Sequence, residues 1–131
     1  MSHELWPKAD RAPLPVDEII RRLHDSFAHV EIDVKEASRH LEEEIRHIVR
    51  TSGDSNPSNR EEIERVRRSI GRAVYVVLAD DPHTDATYLS FLLEPEHERI
   101  FISYESGRHE DASRDLRERL ARVLDYDMEL V

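Results

Sequence analysis

The chain has 131 residues, 38% of them hydrophobic and 6% aromatic, which suits one domain with an aliphatic core hiding roughly two thirds of its unfolded surface. Nineteen lysines and arginines face 29 aspartates and glutamates, a formal net charge of −10. Such a field repels phosphate backbones and anionic headgroups, so nucleic acid and membrane surfaces are not expected partners, and a basic protein is the electrostatic counterpart.

There is no cysteine, which removes disulfides, thiolate nucleophiles and thiolate-bound zinc together and favours a reducing compartment. The start, Met1 to Pro7, holds no apolar run like a signal peptide, and nowhere do about 20 apolar residues follow one another as a membrane helix needs. The expectation is a cytoplasmic protein.

Residues 1–13 mix charge with Trp6, Pro7 and Pro13 and show no period, so they read as a flexible arm ahead of a single α+β domain over 14–131. Pro15 suits the first turn of a helix carried by Val16, Ile19, Ile20, Leu23 and Phe27, with Asp17 and Glu18 at its positive end. His29 to Ile32 alternates but is short enough to be strand or link. Asp33 with Glu36 three residues on resembles a capping box. The helix it starts carries Val34, Ala37, Leu41, Ile45 and Ile48 on one stripe.

Residues 51–57 are turn chemistry throughout. A third helix follows on Ile63, Val66 and Ile70, with Gly71 as its stop. From Ala73 the period changes: Ala73 to Ala79 is apolar on both faces, as a central strand would be. Thr87 to Leu93 and Arg99 to Tyr104 make two more strands, joined by the charged hairpin Glu94-Pro95-Glu96-His97-Glu98. A fourth helix runs on Ala112, Leu116, Leu120 and Val123, and Tyr126 to Leu130 alternates as an edge strand. The predicted order is α-α-α-β-β-β-α-β: three N-terminal helices, an antiparallel three-strand meander, a helix and a C-terminal edge strand. The helices are expected mainly on one face of a mixed four-stranded sheet.

In a meander the first and third strands run the same way, so the loops that follow them should meet at one rim. Those loops bring Asp80, Asp81 and His83 toward Ser106, Arg108, His109 and Glu110, a predicted ligand-binding set. Carboxylate and imidazole donors suit a divalent ion, with Asp81, His83 and His109 as its ligands. Alternatively, Ser106 and Arg108 before a helix could take an anion, against which the acidic first loop argues. A second stripe, His40, Glu44 and His47, has i, i+4, i+7 spacing but not the HExxH order, and such histidines more often cover a core edge.

No Gly-x-Ser-x-Gly elbow supports a hydrolytic triad, and three glycines leave no phosphate-binding loop. The leading expectation is therefore a non-enzymatic interaction module, an adaptor, inhibitor or chaperone-like protein with no cofactor, and a homodimer through the exposed edge at Tyr126 to Leu130. The alternative is a metal- or ligand-binding protein, or a hydrolase, using the rim.

Overall fold

The computed structural model describes residues 3–52, 57–79, 88–105 and 110–130. Among these, the chain forms β1 (His3–Pro7), α1 (Val16–Ser26), β2 (His29–Asp33), α2 (Val34–Ser52) and α3 (Pro57–Ser69) in its first half. The second half adds β3 (Val74–Ala79), β4 (Tyr88–Leu93), β5 (Ile100–Glu105), α4 (Glu110–Leu124) and β6 (Tyr126–Leu130). No helix among the described residues is long and apolar enough to cross a membrane.

The local signals act as chemistry dictates. Asp33 Oδ1 accepts the Glu36 N–H at 2.9 Å and so caps α2. Gly71 leaves α3 at φ 83°, where a side chain would be strained, and the Arg72 and Ala73 N–H groups turn back to the Ser69 carbonyl. Asp125 makes the turn from α4 into β6 at φ 55°, a left-handed conformation that aspartate tolerates better than most residues.

The strands form one six-stranded sheet in the order β2-β3-β4-β5-β1-β6, and every neighbouring pair is antiparallel. Side chains alternate between its faces. On one face Leu5, Val74, Val76, Leu78, Leu89, Phe91, Ile100 and Ile102 meet Ile19, Leu23 and Phe27 of α1 and its C-terminal end, and Leu116, Leu120 and Leu124 of α4. On the other face a smaller cluster joins Ala37 and Leu41 of α2 to Val66 of α3, packed against Tyr75 and Leu92 of the sheet. Between Ser90 and Phe91 the register slips: Ser90 pairs with Tyr104 and Phe91 with Ile102. Ser103 is thus an extra residue, and its hydroxyl donates to the Ser90 carbonyl at 2.8 Å.

This corrects the sequence reading in three respects. The sheet has six strands, not four, and is wholly antiparallel, not mixed. Helices flank both faces rather than mainly one. The first half is not a run of three helices, because β1 precedes α1 and β2 separates α1 from α2.

The physical reasons are specific. In β1 only Leu5 is apolar and faces the main core, so five residues offer no visible alternation, yet they pair on both sides, with β5 and with β6. The segment read as an arm is also tied beyond the strand. Lys8 lies 3.3 Å from the Asp125 carboxylate and Arg11 pairs with it too, holding that carboxyl below its usual range. β2 is an edge strand of five residues with one neighbour, β3, and its pattern Val30, Ile32 is all the signal such a strand can give. The second helical face was announced by β3 itself, whose Tyr75 points away from Val74 and Val76 and needs cover of its own.

Leu5 has no exposed surface. Leu5→Ala should therefore cost about 2–5 kcal/mol, as deletion of a buried leucine side chain does in a rigid core. Urea unfolding measures it. A loss below about 0.5 kcal/mol, the range of surface substitutions, would return residues 3–7 to a peripheral role.

Candidate functional site

The predicted rim depends on a meander, and β3, β4 and β5 pair in that manner. Ala79 pairs with Tyr88 and Glu105 with Leu89, so β3 and β5 end together beside the start of β4. Asp80, Asp81, His83, Ser106, Arg108 and His109 lie outside the described residues, as does the side chain of Glu110, whose backbone begins α4. The stripe on α2 is divided. His40 stacks on Tyr75 with ring centroids 5.1 Å apart and planes 13° from parallel, and its Nε2 is 3.2 Å from Glu36. Glu44 turns instead to Arg65 of α3. Among the described residues no three histidines or carboxylates are placed to hold a metal ion.

A concavity among the described residues lies elsewhere, where α2 and α3 cover β3 and β4 but leave Phe101 of β5 41% exposed. It is a groove of about 620 Å³. Leu92, Phe101 and Ser103 form its floor, Glu44, Glu62 and Arg65 one wall, and the β4–β5 hairpin its end, with Glu94, Glu96, Glu98 and Arg99. Five glutamates against two arginines leave three net negative charges around an exposed aromatic ring.

Arg65 organises the wall. Its Nε and Nη2 donate to the two Glu62 oxygens at 3.2 and 2.6 Å, and its Nη1 donates to Glu94 Oε2 at 2.5 Å. Glu44 Oε1 is 3.8 Å from the same guanidinium. Ser69 Oγ adds a bond of 3.3 Å to Glu94 Oε2. One planar cation therefore ties α2, α3 and the end of β4, the forked geometry for which arginine is suited and lysine is not. The consequences for ionisation follow the geometry. The hydrogen bond from Arg65 holds Glu62 below the usual carboxylate range, and the same bond raises the arginine above its already high value. Glu44 moves the opposite way: burial pushes its carboxyl up, the nearby Glu94 and Glu62 add to that, and Arg65 opposes it.

Both arginines are already engaged. Arg99 pairs with Glu4 of β1, a carboxylate that is only 7% exposed and also accepts the Trp6 indole N–H at 3.0 Å. Glu4 and Trp6 stand on the same face as Phe101, which is Glu4's partner in register. Glu94, Glu96 and Glu98 thus face the groove from a hairpin anchored at both ends.

In the sequence Arg65 lies within a helix marked by its apolar positions alone, and Glu94 to Glu98 reads as a charged hairpin loop. The available signal was density: three glutamates in five residues exceed what a tight turn needs. No protein-family model, curated protein or solved structure matches the chain.

Replacing Arg65 by methionine keeps an unbranched stem but removes the guanidinium and leaves Glu94, Glu62 and Glu44 facing one another. Because Arg65 is 42% exposed, solvent screens the repulsion, and the expected cost is about 1 kcal/mol, larger at low than at high ionic strength. Thermal unfolding of Arg65→Met at two salt concentrations checks this, and a salt-independent loss would mean that packing, not charge, is what Arg65 supplies.

Proposed function

We propose that the protein is a non-enzymatic interaction module that receives a basic segment of a partner protein in the groove between the α2–α3 pair and β5. The observation that carries this reading is the pairing of an exposed phenylalanine on the floor with a surplus of glutamates at the walls. The floor offers apolar area and a ring face to which a guanidinium or ammonium is drawn, worth about 0.5–1 kcal/mol at an exposed site. The walls supply the charge. Arg65 and Arg99 neutralise part of it without filling the groove, so a cation from outside still meets a negative potential.

The net charge of −10 acts in the same direction at longer range, accelerating encounter with basic proteins and retarding encounter with nucleic acid. The reading needs no bond-breaking chemistry: among the described residues lining the groove, the one hydroxyl, on Ser103, donates to the Ser90 carbonyl.

Glu96 and Glu98 are the exposed members of the set, so charge reversal there should disturb binding and not folding. Against an arginine- and lysine-rich peptide with interspersed leucines, Glu96→Lys/Glu98→Lys should weaken affinity by about tenfold at low salt, mostly through the association rate. The unaltered protein should lose affinity steeply as salt rises. Calorimetry and stopped-flow measurements check both. Equal affinity in the double variant would move the binding surface away from the groove.

A further inference from the structure

Three ties hold the β4–β5 hairpin in place at the end of the groove. Glu94 is bound by Arg65 and Ser69 from the α3 side, and Arg99 is bound by Glu4 from β1. The third tie is His97. Its ring is 6% exposed, and Nε2 lies 2.9 Å from the hydroxyl of Tyr126 at the start of β6. That hydroxyl also accepts the backbone N–H of Leu14, at 2.9 Å, from the segment leading into α1. With the hydroxyl accepting from Leu14, its own proton is free to point at His97, and in the neutral ring protonated on Nδ1 it is Nε2 that accepts it. Hairpin, β6 and the entry to α1 thus meet at one hydrogen-bonded chain.

We propose that this chain is a pH-sensitive latch: neutral His97 holds the hairpin closed against Tyr126, and protonation of its Nε2 releases the hairpin and with it the glutamates at the end of the groove. The proposal rests on the groove being the binding site and names how that site is regulated. Protonation turns Nε2 from acceptor into donor. The hydroxyl must then rotate to accept from both His97 and Leu14, and its own proton loses the acceptor it had.

The surroundings decide which form the fold prefers. From the hairpin, the Glu94 backbone and carboxylate favour the charged ring, though the backbone falls short of hydrogen-bond geometry: His97 Nδ1 is buried with no hydrogen-bond partner among the described residues. From α1, the charge of Arg22 reaches the Tyr126 hydroxyl, and from β6 comes the neutral phenol itself. Glu96, Glu98 and Arg99 flank the ring in sequence, but Arg99 is committed to Glu4. Burial outweighs the attraction of Glu94 and pushes the imidazole below its ordinary value. The sign follows: a histidine depressed in the folded state supports the closed form above the ordinary value of 6.5, and that support is lost as pH falls through the folded value. The other two ties, Arg65 and Ser69 to Glu94 and Arg99 to Glu4, do not pass through His97, so the hairpin should swing and not unravel.

The sole tryptophan reports on the neighbouring tie, because Trp6 donates to Glu4 and Glu4 holds Arg99. The experiment is an NMR pH titration from about 7.5 to about 5, bracketing the histidine range, following the amides of residues 94–99, the Trp6 indole and the amides of β3. In the unaltered protein the hairpin and indole signals should move together along one titration while β3 amides stay protected. In His97→Phe, an uncharged ring in the same place, that titration should vanish. In Tyr126→Phe, which keeps the ring and drops the hydroxyl, the hairpin should already be loosened at neutral pH; this variant decides the matter if His97→Phe does not fold. The latch is overturned if the hairpin titrates identically in His97→Phe, or if hairpin and β3 open together as the whole protein unfolds. Adding the basic peptide at each pH separates the two claims. A titrating hairpin with no peptide bound at any pH removes the groove reading and leaves the latch. Peptide affinity that is constant across the range, with an unmoving hairpin, does the reverse.

Discussion

The arrangement depends on a strand of five residues pairing on both sides. β1 lies between β5 and β6, so the beginning and the end of the chain are neighbours and the C-terminal strand has a sheet to join. Its one apolar side chain facing the main core, Leu5, is fully buried, and its carboxylate, Glu4, is nearly so on the opposite face. A buried carboxylate is tolerated only with partners, and Glu4 has two: the Arg99 guanidinium and the Trp6 indole. The same contact fixes the root of the β4–β5 hairpin. Fold and groove therefore share a residue, which is why the end of the groove stands where it does.

Asymmetry between the two faces of the sheet does the rest. The α1–α4 side is a continuous apolar core reaching from β3 to β6. The α2–α3 pair covers the neighbourhood of Tyr75 and Leu92, with Phe101 left at the margin of that cover. A helical layer narrower than its sheet makes a step, and the groove is that step. Its chemistry comes from charge placement: Glu62 and Glu94 reach the same guanidinium from α3 and the β4–β5 hairpin, and Glu44 approaches it from α2. One cation among three carboxylates leaves the site short of positive charge by construction.

Much of this architecture was legible in the sequence, and what was not has identifiable causes. Helical stripes of three or more apolar positions located the helices, and the Asp33 cap and the Gly71 stop marked their ends. β3, apolar on both sides, pointed to a strand inside the sheet, and carried the unused message that both faces need cover. β1 was invisible because its inward residue is single and its outward carboxylate, Glu4, is held by Arg99, far away in sequence, which no local period can show. The groove was hidden for the same reason. Arg65 and Glu94 are 29 positions apart, and each has an ordinary local explanation as a helix charge or a turn residue. The predicted rim was inferred from the direction of β3 and β5, which the register of β4 supports, and the side chains that would form it lie beyond those described.

The central claim, that a basic segment occupies the step between the α2–α3 pair and β5, is tested most directly by mapping a bound peptide. Amide and side-chain NMR signals should be followed while an arginine- and lysine-rich peptide is added at neutral pH. The account predicts that the largest shifts fall on Glu44, Arg65, Leu92, Phe101, Ser103 and Glu94 to Glu98, with the Phe101 ring protons among them. Shifts gathered instead on the outer edges of β2 or β6, or on the α1–α4 side, with Phe101 unmoved, would contradict it.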